Sequence, residues 1–573
     1  MGTVEMLVVV LTACGVLMAV ESGLQGAEAA STPWPPQYRQ GGTAADVLGP
    51  DGETWFPDWT GAGVQGGIPD VRAFCRIEDF GGRADDDRDD SDALQTACSA
   101  AGRAGGGAVL LGEGTYHLDR KVLIRQNGVV IRGAGRDKTR IVIRYNESGG
   151  RITDGVITFA GGGEEDERLL AADGRRGDTH LELQDADGLA PGQWLALEAH
   201  NTDRWQLLIE SLCRHNPRRT MVRIERVQGR TVTINQPLRI DFPLADASYV
   251  TSAAPIERCG IEDLFITQAR REPKICTVLF LRAVNCWGRR VTVDWTGRMP
   301  LYGSHVKWME IRDCEFNHAH DMGGAGTAYV GWQYSSDCLM ENVTTRNMRH
   351  APNLDWACSG CVFRNSTFYY SDGQMHSGWC HENLWENCVI LEPRGRPTGG
   401  GSYGHAFWAT PPSDSSHGPN GPRNCFYNCD FRNTTEHVVF EPGMMHYGPC
   451  GIVLGGMNEN WLFFHNRILS RGPAILMRGA QFDHVIKGNV FSVADDFAAV
   501  VAEDAARTSG LTMVGNTVYG GNGAVFAGSP SAAVVEGSVI LEAADGMPPR
   551  PRPDVPSIFE WQRRNRPPAG GDR

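Results

Sequence analysis

The sequence predicts an all-β solenoid, a single-stranded right-handed parallel β-helix with an N-terminal capping helix and inserted loops. A short phrase recurs from residue 259 onward, in forms such as "CGIEDLFI", "MEIRDCEF", "CVFRNSTF", "LWENCVIL" and "TMVGNTVY". The polar residue inside each phrase forms one column: Asp263, Arg290, Asp313, Asn342, Asn365, Asn387, Asn428, Asn466, Asn489, Asn516 and Ser538. Most steps are 22 to 29 residues, and alternating apolar and β-branched residues surround the polar one. Such a coil stacks its inward residues along an axis, and an Asn amide at a corner can bond the coils above and below. A helical solenoid would need long stretches of 3.6 period, which this region lacks.

The cysteines follow the same phase. Cys314, Cys388 and Cys429 come one residue after the column, and Cys259, Cys286, Cys338 and Cys361 four before it. Equal phase on adjacent coils brings them ~4.8 Å apart, so a stack of buried thiols is favoured over a disulfide framework. Cys358 and Cys361 form a CxxC without a zinc-like partner pair.

Residues 6 to 20 are an apolar run too short for a confident membrane span, followed by "GAEAAS". They read as a signal peptide over 1–29, giving a secreted or periplasmic protein, with a lipoprotein signal at "LTAC" less favoured. An extended arm over 30–70 then packs on the helix. The β-helix runs over 71–545, with a β-rich insertion at about 178–250, where strand alternation continues without the repeated phrase. Residues 546–573 are too rich in Pro and charge for a core and read as a flexible tail. The net charge of -14 gives no overall attraction to nucleic acid or to anionic membranes.

Residues 79 to 118, "DFGGRADDDRDDSDALQTACSAAGRAGGGAVLLGEGTYHL", open with Asp-Phe-Gly, an Asp-rich turn, a short helix and a Gly-rich turn into a "Gly-x-Tyr" strand. This resembles the start of the pectate-lyase-superfamily β-helices, the rhamnogalacturonase/epimerase-like group. The resemblance implies the fold and says little about chemistry, since such scaffolds host lyases, hydrolases, epimerases and phage adhesins. Asp85 to Asp92 look like a calcium loop, but Asp89, Asp90 and Ser91 also suit the N-terminus of the helix that follows.

Two steps of the column, 41 and 38 residues, are long, and extra residues leave a coil as loops. These loops, 391–423 and 432–460, are the first place to look for function. Eleven of the sixteen histidines lie between 305 and 465. A tryptophan recurs once per coil there, at Trp332, Trp356, Trp379 and Trp408, with Tyr329, Asn353, His376 and His405 three residues earlier. If the phase holds, these four stand side by side over about 15 Å. They either brace an aromatic ladder or line a saccharide groove.

The residue types favour β-elimination of a uronate, which needs a base, a proton donor and a group to neutralise the substrate carboxylate. His376 or His405 would be the base and Tyr403 or Tyr329 the acid. Asn353 with Arg423 would clamp the carboxylate, with His417 nearby. Glycoside hydrolysis wants two carboxylates, and only Asp355 and Asp372 stand close. A metal is not required, although Asp355 or Asp372 could hold calcium, and His376 with His381, or His318 with His320, could ligate zinc. The expected partner is a polysaccharide, most simply an acidic one. The leading expectation is a lyase, followed by a hydrolase and by a non-catalytic carbohydrate-binding surface protein.

Overall fold

The computed structural model describes residues 42–147, 151–213, 215–271, 274–322, 326–376, 378–392, 405–409, 417–433, 450–542, 552 and 554–565. The chain winds as a right-handed parallel β-helix. One face is a parallel sheet of thirteen strands. Two further parallel ladders close the coil. One runs through Glu310, Leu339, Val362 and Leu384, the other through Glu315, Thr344, Thr367 and Val389. The helix Ser91–Arg103 buries Leu94, Ala97, Cys98 and Ala101 against the first coils and closes that end of the core. The Asp run serves this junction. Asp85 accepts from the Thr115 amide, Asp90 from those of Arg83 and His117, and Asp89 from those of Ser91 and Asp119.

The interior is apolar and stacked. Trp332, Phe363, Trp385, Phe426 and Phe463 follow one another on successive coils at ring separations of 5.0, 5.5, 4.9 and 5.6 Å. That range is where offset and edge-on aromatic pairs gain most. The fifteen described cysteines are free thiols, and all but Cys75 are buried.

The expected single polar column divides in two. Asp263, Arg290, Asp313, Asn342, Asn365, Asn387 and Asn428 all have φ between 50° and 60°. Asn and Asp enter this left-handed region at least cost among side-chain-bearing residues. Here the outer amides bond coil to coil, as Asn428 does to Asn387 at 2.8 Å. From the next coil on, His465, Gly488, Gly515 and Gly537 take the left-handed position. Tyr427 pairs with Phe464, so Asn466 falls in phase with Cys429, one residue beyond the outer column. Asn466, Asn489 and Asn516 are therefore interior. The Cys429 amide donates to Asn466, Asn466 to Asn489 and Asn489 to Asn516, each at 2.9 Å.

Residues Glu164–Ala253 contribute a six-stranded antiparallel sheet beside the coils. A buried charge network joins it to them. Arg176 contacts Asp46 and Glu382, Arg239 contacts Asp337 and Glu382, and Lys307 contacts Asp337. Burial alone would raise the Asp337 carboxyl, but the Lys307 and Arg239 charges outweigh it and hold it at about 2.

Of the arm, Phe56, Trp59 and Ala62 lie against Leu339, Val362, Leu384 and Cys425 of the coils. One expectation is corrected. Part of the stretch read as a flexible tail is a helix, Ile558–Asn565, docked in the same cluster. Its Ile558 and Phe559 amides donate to the buried Glu386 carboxylate at 2.6 and 3.2 Å, an acid at a helix N-terminus. Pro and charge describe composition, whereas the apolar pair Ile558 and Phe559 supplies the docking surface.

Because Asp337 is depressed in the folded state, its contribution is present above the unfolded carboxylate range and is lost as pH falls toward 2. Asp337→Asn is expected to cost about 3–5 kcal/mol near neutrality by urea unfolding, since it strands buried cations. The gap from wild type should narrow as pH drops to 3. A gap that stays constant would contradict this role.

Candidate active site

The site lies on the outer face of the thirteen-stranded sheet. Its strands are β1 (Leu301–Lys307), β2 (Tyr329–Gln333), β3 (His350–Asp355), β4 (Asp372–Met375) and β5 (Phe407–Ala409). Trp332, Leu354, Met375 and Ala409 are in register and belong to the core. The residues alternating with them therefore face outward. Tyr329, His350 and Asp372 form one outward row, and Gly331, Asn353, Gln374 and Trp408 the next. Asp355 and His376 follow.

This register differs from the predicted one. Tyr329 aligns with His350 and Asp372, not with Asn353. Trp332 aligns with Leu354, so the tryptophans do not form a column. Within β3 the pairing also shifts between His350 and Asn353, around Ala351 and Pro352, which is what brings His350 level with Tyr329. Proline lacks the amide that a central strand must donate and so marks a bulge. Pro352 was the signal that could have revealed His350 as a site residue.

Two imidazole–carboxylate pairs result. His350 Nδ1 stands 2.8 Å from Asp372 Oδ1, and His376 Nδ1 3.3 Å from Asp355 Oδ1. An ionised carboxylate only accepts, so in each pair Nδ1 is the nitrogen that donates. The Tyr329 ring packs against both, 5.0 Å from His350 and 5.6 Å from His376, and the two imidazoles are 6.4 Å apart, so the three rings form a triangle. Arg349 Nη1 reaches the Tyr329 hydroxyl at 3.5 Å. The His350 side chain is fully buried, whereas that of His376 is 21% exposed. Burial first, and then the Arg349 charge, hold His350 well below the usual histidine range, so it stays neutral. His376 is thus the more exposed of the two imidazoles.

Asn353 and Gln374 add a third feature. Both are wholly buried, and neither their amide nitrogens nor their oxygens have a hydrogen-bond partner. Two adjacent unsatisfied carboxamides are costly, and their row lies beside both histidine pairs.

The remaining predicted residues are placed as follows. His405 is buried before β5, 5.5 Å from Trp408, which is 6.0 Å from His350. His417 lies 4.7 Å from His376. Tyr403 falls outside the described residues. Arg423 is corrected. It is not in the site but in the buried network, where it contacts Asp46 and the Trp55 carbonyl. Its loop rejoins the coil at a corner on the side facing the arm. His381 sits at a coil corner, bridged to Ser359, where burial lowers it to about 4. His318 engages Asp294 and His320 engages the Gln268 carbonyl, each at 2.8 Å. Among the described residues no three His, Cys, Asp or Glu side chains group as a metal site. His350, Gln374 and Arg349 were missed by the sequence reading.

Fold and site together define a right-handed parallel β-helix protein with a candidate active site on the outer face of one sheet. Residues 74–166 match the family described as rhamnogalacturonase A/epimerase, pectate lyase-like. Alginate lyase 7 of Azotobacter vinelandii is 38% identical over 93 residues, 15% of this chain and 10% of that protein. The chain thus spans about one tenth of that relative's length. The A-module of the mannuronan C-5 epimerase AlgE6 of Azotobacter vinelandii superposes with a TM-score of 0.52 at 15% identity, over 83% of this chain and all of that one. The AlgE4 A-module of the same organism gives 0.51 at 14%, over 81% of this chain and all of that one. At these identities the likeness is one of fold.

Asn353→Leu and Gln374→Leu are each expected to leave stability unchanged or to raise it by about 1 kcal/mol in urea unfolding, because each removes unsatisfied buried polar atoms. A loss above about 2 kcal/mol in both would show that the amides serve the fold.

Proposed function

We propose that this protein is a polysaccharide lyase that cleaves a uronate-containing chain by β-elimination. The observation that carries the reading is the solvent-reachable His376, oriented by Asp355, beside Tyr329 and the unpaired carboxamides of Asn353 and Gln374. The carboxamide N–H groups donate to the substrate carboxylate and stabilise the charge that develops on it, a neutralising part that calcium would otherwise fill. His376 Nε2 takes the C5 proton. The electron pair forms the C4=C5 double bond as the C4–O4 bond breaks. Tyr329, with Arg349 at its hydroxyl, protonates the departing oxygen. His350, held by Asp372, packs against the Tyr329 ring and positions it.

Names of similar proteins support a uronate polymer: an alginate lyase in the front segment and mannuronan epimerases in fold. The hydrolase alternative is less favoured, because Asp355 and Asp372 each face an imidazole rather than each other. A C5 epimerase remains the second reading. Tyr329, whose ring is 5.6 Å from that of His376, would then return a proton to C5 instead of protonating the departing oxygen.

Incubation with alginate, mannuronan and polygalacturonate should raise absorbance near 235 nm with at least one of them. Reducing ends without absorbance would favour a hydrolase. C5 inversion by proton NMR without cleavage would favour an epimerase, and binding without either product a non-catalytic protein. His376→Ala is expected to lower turnover about 10²–10⁴-fold with the thermal midpoint unchanged. Full activity in that variant would exclude His376 as the base.

A further inference from the structure

A second row of side chains leads away from His376 along the solenoid. Leu281 pairs with Ser304 and Ala283 with Val306, which sets Arg282 beside His305. Ser304 pairs with Gln333 and Gln333 with Asp355, so Tyr334 follows His305 and Trp356 follows Tyr334. All four have left-handed backbone, with φ of 49°, 55°, 48° and 40°. Large side chains enter that region at about 1–3 kcal/mol each, and such outliers concentrate where a ligand is held. The outer corner column fills the same conformation mostly with Asn and Asp, as physical cost alone would dictate.

The rings form a staircase. His305 and Tyr334 are 4.7 Å apart at 24°, Tyr334 and Trp356 6.4 Å at 8°, and Trp356 and His417 6.0 Å at 18°. His417 then meets His376 at 4.7 Å. Parallel rings at 6.0–6.4 Å are displaced rather than overlaid, so neighbouring rings cover each other only in part. His305, Tyr334 and Trp356 are half-buried. The exposed His215 of the insertion stands across the row, 4.6 Å from Trp356 at 89°. At the far end, Arg282 Nε has no hydrogen-bond partner.

We propose that Arg282, His305, Tyr334 and Trp356, faced by His215, are accessory subsites that hold an anionic glycan along the solenoid axis and feed it to His376. The inference rests on the uronate-polymer reading above and adds the direction and the length of the bound chain. Displaced aromatic faces suit the apolar faces of sugar rings, and a guanidinium suits a uronate carboxylate. From His376 to Arg282 the row crosses four coil spacings, roughly 20 Å at ~4.8 Å each. The insertion would then be one wall of the groove.

Calorimetric titration with oligomannuronates of two, four and six units tests this. Wild-type affinity should rise at least about tenfold from dimer to hexamer. Tyr334→Ala, Trp356→Ala and Arg282→Ala should each flatten that rise, weakening the hexamer about tenfold and the dimer less than twofold, while Trp356→Phe keeps most of it. Thermal midpoints are recorded, and Tyr334→Ala and Arg282→Ala serve if Trp356→Ala does not fold. Folded variants that bind the hexamer as wild type does, a wild type without length dependence, or no binding at all would each overturn the proposal. Length-dependent binding without any product would remove the catalytic reading and leave the row standing. Turnover of polymer with length dependence unchanged in the variants would remove the row alone.

Discussion

Everything in this molecule depends on how the coil corners satisfy their backbone. The parallel ladders pair amides within the strands, but a corner residue has its N–H turned out of the ladder, and burying it alone would cost about as much as a lost hydrogen bond. The solution is a side chain from the adjacent coil. Cys388 donates to Cys429 Sγ, Val343 to Ser366 Oγ, Cys361 to Asn383 Oδ1, and the Asn466, Asn489, Asn516 series continues the device to Ser538. Each bond contributes only about 1 kcal/mol. Repeated along the axis, they fix the register of every coil on the next, and with it the position of every outward side chain.

That rigidity turns a one-dimensional list into a site. On a regular coil, residues from different strands face one another at constant spacing, and chemistry follows from which phase they occupy. The shift around Pro352 changes the phase of one strand, bringing His350 level with Tyr329 and Asp372 and setting the two imidazole–carboxylate pairs next to each other beside one phenol. His350, Asp355 and Asp372 rest on strands and His376 directly follows one, so their geometry is held before any ligand arrives.

The charges are arranged by the same logic. Arg176, Arg239, Lys307 and Arg423 meet Asp46, Asp337 and Glu382 where arm, insertion and coils converge, away from the site. Buried ion pairs of this kind specify an arrangement more than they stabilise it. Here they dock the insertion, whose His215 reaches the aromatic row. The unsatisfied polar atoms of Asn353 and Gln374 lie instead within the site, where a folded protein tolerates a destabilising feature for a ligand.

The sequence by itself determined the solenoid, because periodic apolar residues, in-phase cysteines and a recurrent corner Asn are each local consequences of a coil of fixed length. It also offered His376 and Asp355 as candidates, His376 because histidine was concentrated in the middle coils and Asp355 as one of the two carboxylates close by. It could not place Arg423, whose ion-pair partner Asp46 is 377 residues away in the chain. Nor could it resolve the split of the polar column, where Asn466 and Asn428 look alike but differ by one residue in phase. The pairing of His350 with Asp372 was decided only by the tertiary structure, because a two-residue irregularity in one strand resets which side chains meet across coils. Periodicity is written in the chain, but register is a relation between coils, and it exists only once they stack.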